Sequence, residues 1–364
     1  MPLLLEWFAA NARDLPWRRT HDPYAVWVSE IMLQQTQVKT VIPFWNRWMK
    51  ELPTIEAAAK APSAKIHKLW EGLGYYTRVR NLQKAAQVIV AERGGKFPTA
   101  FDAVLALPGI GRYTAGAICS IAFNQSMPIV DGNVIRVLTR IFGIAENPKE
   151  KEANARLWKI AEELVTNAQI ARWDARPTND QRCSHLNQSL MELGALVCTP
   201  RSPQCLVCPV QKLCGAFKEG RTEELPNLGK REAATARHFF AFAIEHQRKF
   251  LVRQRPAGVV NAQLWEFPNV EVGAQHCEPQ EIFAELDALR VGDPRSEKIS
   301  PLCTVKHSIT RYRITLKAFA VSLKKFPGKT KGVWKTPAQM QALAFTAAHK
   351  KLASAAAKSI LSDR

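Results

Sequence analysis

The N-terminal part of the chain carries helical patterns of apolar and polar residues. Up to about residue 217, apolar positions recur with a period of about 3.6 residues. Proline and glycine interrupt the pattern, and no stretch alternates as a surface strand would. We therefore expect one all-α region over residues 1–217.

The pattern changes after a polar segment. Residues 218–234 are charged and turn-forming, which predicts an exposed linker. Beyond it, HFFAFAIE and KFLVRQ flank a polar turn, and RYRITLKA alternates strictly between apolar and polar positions. These strands predict a half-buried sheet, and a helical stretch closes the chain. Residues 235–364 should therefore form an α+β domain.

Charge suggests the kind of partner. Lys and Arg number 51 against 32 acidic residues, for a formal charge of +19 in 364 residues. An extended polyanion such as nucleic acid explains this excess, although solvated lysines alone also produce basic proteins. No apolar run is long enough to predict a membrane span, and the N-terminus lacks the pattern of a signal peptide. We expect a monomer in the cytoplasm, associated with the nucleoid if the source is bacterial.

Four of the eight cysteines are concentrated near the end of the helical region. Cys198, Cys205, Cys208 and Cys214 follow the spacing C-x6-C-x2-C-x5-C. Four thiolates on one short loop can surround an iron-sulfur cluster. Tetrahedral zinc is the alternative, but paired zinc motifs usually place the two pairs a dozen or more residues apart. We expect iron and sulfur here, and idle thiols at the four scattered cysteines.

A glycine-containing turn joins two predicted helices. A capping box at Thr99–Asp102 opens the first helix, which should end at Leu107, and the second helix should begin near Arg112. Between them, Gly109 and Gly111 leave backbone N–H groups open to a DNA phosphate. The pattern is that of a helix-hairpin-helix, and an ordinary turn between helices remains the alternative.

Two carboxylates are candidates for chemistry. Glu30 lies in the apolar helical stretch PYAVWVSEIML, whose start is indicated by Asp22 as cap and Pro23 in the first turn. Burial there would raise the pKa of Glu30 and suit it to give a proton. Asp131 precedes a helix, whose N-terminus would hold the carboxylate ionised. Each has a plainer alternative, a solvated helix face for Glu30 and a simple N-cap for Asp131. As a pair of carboxyl groups whose surroundings give them different pKa values, they indicate acid-assisted cleavage of an N-glycosidic bond.

These motifs resemble the MutY family of adenine DNA glycosylases, in the helix-hairpin-helix superfamily that includes endonuclease III. The matching stretches are LPWR (15–18), VSEIMLQQTQV (28–38), GLGYY (72–76), LPGIGRYTAGAI (107–118), VDGNVIRV (130–137) and ELGALVC (192–198). The resemblance implies a six-helix barrel with the hairpin, and a cluster domain at about 131–217 joined by the N-terminal helix. It also implies one 4Fe-4S cluster, and as partner double-stranded DNA with adenine opposite 8-oxoguanine or guanine.

The resemblance also implies catalytic roles. Glu30 would protonate adenine at N7 and later handle the attacking water, and Asp131 would stabilise the oxocarbenium ion or its covalent successor. Tyr113 and Asn133 match positions that support this centre. In endonuclease III a lysine occupies the place of Tyr113 and permits strand nicking through a Schiff base. Its absence favours a monofunctional glycosylase over a glycosylase/lyase.

Further matches concern substrate binding. Trp17 and Arg18 match the adenine pocket, and Gln35 and Tyr75 match the pair that wedges into the duplex while adenine is flipped outward. Gln188 stands where some relatives have glutamate and others glutamine.

The C-terminal domain resembles the Nudix fold, with LWEFPN (264–269) as its matching motif. The glutamate-rich hydrolase motif is missing, so we expect a lesion sensor rather than a diphosphate hydrolase. Relatives often contact 8-oxoguanine through Phe-Ser-His, but here Ser308 is followed by Ile309, Thr310 and Arg311. Ser308 and Thr310 are the candidate contacts, and this departure weakens the expectation for the oxidised base.

A non-catalytic iron-sulfur DNA-binding protein is the remaining alternative. Such a protein would need neither Glu30 nor Asp131, so their joint presence favours an enzyme.

Overall fold

A computed structural model describes residues 2–170, 181–229, 232–273, 299–309, 311–326 and 330–362. The contacts divide the chain into two compact units. The first comprises residues 1–61 and 80–231, and the second comprises residues 62–79 and 232–364. The segment 62–79 therefore packs with the C-terminal residues, and the polar segment after residue 217 packs largely with the first unit.

The described residues up to Lys218 are helical, as the sequence pattern predicts. The helices are α1 (Pro2–Asn11), α2 (Pro23–Leu33), α3 (Val38–Glu51), α4 (Ile55–Lys60), α5 (Ser63–Trp70), α6 (Thr77–Arg93), α7 (Phe101–Leu105), α8 (Arg112–Phe123), α9 (Gly132–Ile141), α10 (Lys151–Ile170), α11 (Arg182–Leu196) and α12 (Gly215–Lys218). Among the described residues, no helix has the length and apolar character needed to cross a membrane.

Local capping explains where the site-bearing helices begin. Asp22 accepts a hydrogen bond from the Tyr24 N–H, and Pro23 occupies the first turn, so α2 begins as predicted. Asp131 caps α9 by accepting from the Val134 N–H at 2.7 Å. The capping box predicted at Thr99 is wrong, because α7 begins after Ala100, which provides no side-chain cap.

One apolar core holds the helices that frame the site. Buried side chains of α8, α9, α10 and α11 form a continuous cluster that also includes Leu4 of α1 and Val26 of α2. Gly194 of α11 permits a close approach to α9, since a Cβ there would lie 2.7 Å from the Cβ of Asn133. This packing fixes the N-terminal end of α9 against α11.

The second unit is built on a mixed sheet. Its strands are β1 (Thr235–His246), β2 (Lys249–Gln254), β3 (Trp265–Glu266), β4 (Asn269–Val272), β5 (Ile299–Ile309), β6 (Tyr312–Ser322) and β7 (Val333–Lys335). The order is β3-β2-β1-β6-β5, with β4 on β1 and β7 on β2. Only the β1–β6 pair is parallel among these described pairings.

Both faces of this sheet carry a core. One face packs Leu316 and Ala318 against α13 (Pro337–Gln341) and α14 (Ala347–Ser362). The other buries Phe319 and Val321 with residues of β1 and β2. The expectation of a half-buried sheet holds only for the first half of β6. Arg313 and Lys317 are exposed on one face of this strand, but Phe319 and Val321 further along the same face are buried.

Candidate active site

Glu30 lies on α2 and is buried, with 5% of its surface exposed. Burial raises its pKa from the ordinary 4.5 to about 7, and the charge of Asp131 acts in the same direction. The Tyr113 hydroxyl opposes this shift by donating a hydrogen bond to Glu30 Oε2 at 2.8 Å. At neutral pH this carboxyl group therefore exists in both protonated and ionised forms.

Asp131 is held by the first turn of α9. Its Oδ1 accepts from the Val134 N–H, and its Oδ2 accepts from Asn133 Nδ2 at 3.1 Å. These bonds lower the pKa of Asp131, but burial outweighs them and raises it above its usual value.

Glu30 and Asp131 open onto one cavity of about 560 Å³ in the first unit. The predicted site residues that share its lining are Trp17, Arg18, Glu30, Gln35, Tyr113, Asp131, Asn133 and Gln188. Both carboxyl groups can therefore meet one bound molecule. The volume is that of a typical small-molecule site.

The floor of the cavity contains an ion network that the sequence reasoning missed. Glu192 of α11 is buried and accepts hydrogen bonds from Arg13 Nη2 at 2.7 Å and Arg18 Nη2 at 2.9 Å. Although burial alone would raise its pKa, these two guanidinium groups bring the pKa of Glu192 to about 2. The network fixes Arg18, and the signal for it was a glutamate inside an apolar helix, the same signal that marks Glu30.

Three further predicted residues of the cavity have defined surroundings or backbone conformations. The buried Trp17 ring packs edge-on against Trp45. Gln188 donates from Nε2 to Ser184 Oγ at 3.0 Å. Gln35 is exposed just beyond α2 with a φ of 55°, a left-handed conformation that only a constrained loop imposes on glutamine.

The predicted hairpin is present. Gly109 has a φ of 77°, and a Cβ there would lie 2.5 Å from the Cβ of Asn81. Gly111 precedes the first turn of α8 and has open space around it. Both glycines are exposed and lie outside the cavity lining, where backbone N–H groups can meet a phosphate.

Other predicted contacts lie in the second unit. Tyr75 is 45% exposed in the loop after α5. Ser308 is exposed on β5 and pairs with Arg313. Thr310 lies outside the described residues.

The four cysteines line a second cavity. Cys198 follows α11, Cys205 begins a 3-10 turn, and Cys214 precedes α12. All four, including Cys208, surround one space with apolar walls formed in part by Val137 and Leu193. No three of the described His, Cys, Asp or Glu side chains surround the position of a single metal ion.

The surroundings of these thiols fit an anionic cluster. Arg140 of α9 is buried and donates from Nη1 to Cys198 Sγ at 3.3 Å. Burial raises the pKa of Cys208 to about 11, and the three neighbouring cysteines act in the same direction. The four sulfurs are the residues that would bind an iron-sulfur cluster.

Comparison with known proteins gives the family. Residues 28–163 match the HhH-GPD superfamily of base excision DNA repair proteins, residues 198–214 match the iron-sulfur binding domain of endonuclease III, and residues 240–355 match the NUDIX domain. The adenine DNA glycosylase of Rattus norvegicus is 37% identical over 88% of this chain and 70% of its own length. That of Buchnera aphidicola (Schizaphis graminum) is 33% identical over 91% of each chain. The chain belongs to the adenine DNA glycosylase family.

A solved glycosylase structure resembles part of the chain. A thermostable thymine-DNA glycosylase matches with a TM-score of 0.52 and 30% identity, covering 60% of this chain and 94% of its own. The glycosylase thus has a helix-hairpin-helix region with an iron-sulfur binding segment, followed by a Nudix-like domain, as the sequence predicts. It is a DNA-binding enzyme of base-excision repair.

Proposed function

We propose that the glycosylase is monofunctional and removes adenine opposite 8-oxoguanine or guanine, acting as a monomer. The observation that carries this proposal is the shared cavity of Glu30 and Asp131, in which burial brings the pKa of Glu30 to about 7. General acids work best when their pKa lies near the operating pH.

In the proposed reaction, protonated Glu30 gives its proton to the flipped adenine as the N-glycosidic bond breaks. The electrons of that bond leave with the base, and the sugar becomes an oxocarbenium ion. Asp131, oriented by Asn133 and the Val134 N–H, is placed to stabilise this cation. Ionised Glu30 then accepts a proton from the water that attacks the sugar, while Tyr113 donates to its carboxylate.

The cavity lining supports hydrolysis without strand nicking. No lysine lines the cavity among the described residues, and Tyr113 stands at the hairpin position where a Schiff-base lysine would be needed. The cluster is proposed to be one 4Fe-4S unit held by Cys198, Cys205, Cys208 and Cys214. When bound, it would supply a rigid anchor for the loop between α11 and α12.

A strand-cleavage assay tests the proposal. Purified cluster-loaded protein is incubated with a duplex that contains one adenine opposite 8-oxoguanine, and half of each sample is treated with alkali. We expect a cleaved adenine strand only after alkali. Cleavage without alkali would show a lyase, and no cleavage in either half would reject the glycosylase proposal. A parallel duplex with guanine opposite adenine measures the preference between partners.

A further inference from the structure

The loop that presents Tyr75 is held by hydrogen bonds within its own segment. Tyr75 has a φ of 47°, a left-handed conformation that costs energy in a non-glycine residue. Trp70 Nε1 and Arg78 Nη2 each donate to the Gly74 carbonyl oxygen at 3.1 Å. The Arg78 guanidinium also lies 5.7 Å from the centre of the Tyr75 ring. The exposed ring thus projects from a constrained backbone.

Glu71, at the base of this loop, is a buried carboxylate at the centre of an ion network with two partly exposed lysines. Its Oε2 accepts from Lys68 Nζ at 2.8 Å and from Lys350 Nζ at 2.7 Å. Its Oε1 accepts from the Phe345 N–H at 3.0 Å. Lys68 donates a further hydrogen bond to the Leu343 carbonyl oxygen at 3.0 Å. Residues 343–350, which lead into and begin α14, are therefore tied to the segment that carries Tyr75, within one compact unit.

These contacts make Glu71 sensitive to the loss of a partner. Only 7% of the residue is exposed, and burial alone would raise its pKa, but the hydrogen bonds from Lys350, Lys68 and Phe345 bring that pKa below its usual value. A buried carboxylate that loses a cationic partner is left with an uncompensated charge. Glu71 does not line the catalytic cavity, so the network does not serve the bond-breaking step directly.

We propose that Glu71 is a positioning residue for DNA distortion, which anchors the Tyr75 loop to residues 343–350 of the C-terminal domain. The inference rests on the proposed excision of a flipped adenine, and on the role that the family resemblance implies for Tyr75, which wedges into the duplex as adenine leaves the stack. When Tyr75 wedges into the duplex, the DNA pushes the Tyr75 loop back. Because Glu71 ties the base of this loop to residues 343–350, the loop moves less under that force. The network therefore favours the wedged state of the complex over the unwedged one.

Fluorescence of 2-aminopurine tests this inference. The base is placed beside 8-oxoguanine in a duplex whose opposing adenosine carries a 2′-fluorine that blocks excision, and unstacking by the wedge increases its emission. We expect wild-type enzyme to give a large increase, and Tyr75→Ala to lose it. Glu71→Gln should lose most of the increase and bind this duplex about tenfold more weakly, which corresponds to ~1.4 kcal/mol.

Lys350→Met supplies a variant in which the buried carboxylate remains. Its side chain is 55% exposed, so the substitution leaves the core intact. Lys350→Met should also reduce the fluorescence increase. The double variant Glu71→Gln/Lys350→Met should give an increase only slightly smaller than that of Glu71→Gln, because the two side chains act through one contact.

Glu266→Gln is the matched control. Glu266 is 3% exposed in the same unit, accepts from Arg253 Nε at 2.9 Å and pairs with Arg255, yet it belongs to β3 rather than to the Tyr75 segment. Glu266→Gln should lower the melting temperature of the protein without changing the 2-aminopurine fluorescence increase. Normal fluorescence and affinity in both Glu71→Gln and Lys350→Met would overturn the inference, as would an equal loss in Glu266→Gln. Failure of the function itself is distinguishable, because wild-type enzyme would then produce no alkali-labile strand.

Discussion

Glu30 has the surroundings of a general acid, and its replacement tests that role. Glu30→Gln keeps the shape of the side chain but removes its titratable proton. We expect single-turnover excision to fall by about 10²- to 10⁴-fold, the usual contribution of general acid catalysis, with DNA affinity retained. Rapid-quench measurement of abasic-site formation gives the rate, and gel shift gives the affinity. An excision rate equal to that of wild type would reject the assignment.

Stability provides the control for this variant. The pKa of Glu30 is raised in the folded state from 4.5 to about 7, so its ionisation opposes folding increasingly as pH rises through this window. Above pH 7 the penalty amounts to ~3 kcal/mol, which a neutral glutamine does not incur. Glu30→Gln should therefore melt at a higher temperature than wild type at pH 8, and by a smaller margin at pH 5. Lost activity then cannot be ascribed to unfolding.

Tyr113 should set the pH dependence of the reaction. The proposed reaction requires protonated Glu30, so the single-turnover rate should fall as pH rises through about 7. The Tyr113 hydroxyl stabilises the ionised carboxylate, and Tyr113→Phe removes that bond and raises the pKa of Glu30 further. The falling limb of the pH–rate profile should move to higher pH in this variant. If the falling limb of Tyr113→Phe moved to lower pH instead, the Tyr113 hydroxyl could not be lowering the pKa of Glu30.

The sequence identified both carboxylates of the cavity and the raised pKa of Glu30, but not the ion network beside them. Glu30 and Asp131 were predictable because an apolar helix and an N-cap are local patterns. The salt bridges of Glu192 were not, since Arg13 and Arg18 lie far from it along the chain and meet it only after α11 packs. The burial that raises the pKa of Asp131 is not visible in the sequence either, because it depends on how other elements pack around α9.

At the scale of elements, α9 connects the two cavities. Its first turn orients Asp131, and its last turns place Arg140 beside Cys198. Arg136 lies between them, donating from Nη2 to Asn133 Oδ1 at 2.8 Å and from Nε to the Cys198 carbonyl oxygen at 2.7 Å. One helix therefore holds both Asp131 and the loop of cysteines.

Replacement of Arg136 should disturb both sites. Arg136→Met leaves the Asn133 amide and the Gly194 carbonyl oxygen without a buried donor, which costs ~1–3 kcal/mol for each group. We expect a slower excision rate, a lower melting temperature and weaker visible absorption of the bound cluster per chain. Arg156→Met, at an exposed arginine of α10, should leave all three unchanged. Normal excision with normal absorption in Arg136→Met would show that α9 does not join the sites.

Element boundaries were predictable where the cap is local. Asp22, Pro23 and Asp131 mark their helices correctly, whereas Thr99 does not, because the chain remains extended through Ala100. The second core of the sheet could not be read from RYRITLKA, since Phe319 and Val321 follow that stretch and continue its polar face with apolar side chains.

At the scale of the whole molecule, the compact units differ from a simple division along the sequence. Segment 62–79 lies inside the helical family match at 28–163, yet it packs with the C-terminal residues. The contacts responsible join Glu71 to Lys350 and Lys68 to the Leu343 carbonyl oxygen, and no periodic pattern reveals them. Fold class follows from local patterns, but the grouping of elements depends on such long-range contacts.

The charge of +19 predicts DNA binding that weakens steeply with salt, and Arg311 offers a way to resolve one contact. Arg311 is exposed at the turn between β5 and β6, after the candidate contact Ser308. If it binds phosphate, Arg311→Ser should weaken binding equally for duplexes with 8-oxoguanine and with guanine, and lower the slope of log affinity against log salt by about 1. Fluorescence anisotropy over a salt series measures both. Arg248→Ser makes the same charge change at the β1–β2 turn and controls for net charge. A loss confined to the 8-oxoguanine duplex would instead make Arg311 a reader of the oxidised base, the task that Phe-Ser-His performs in relatives.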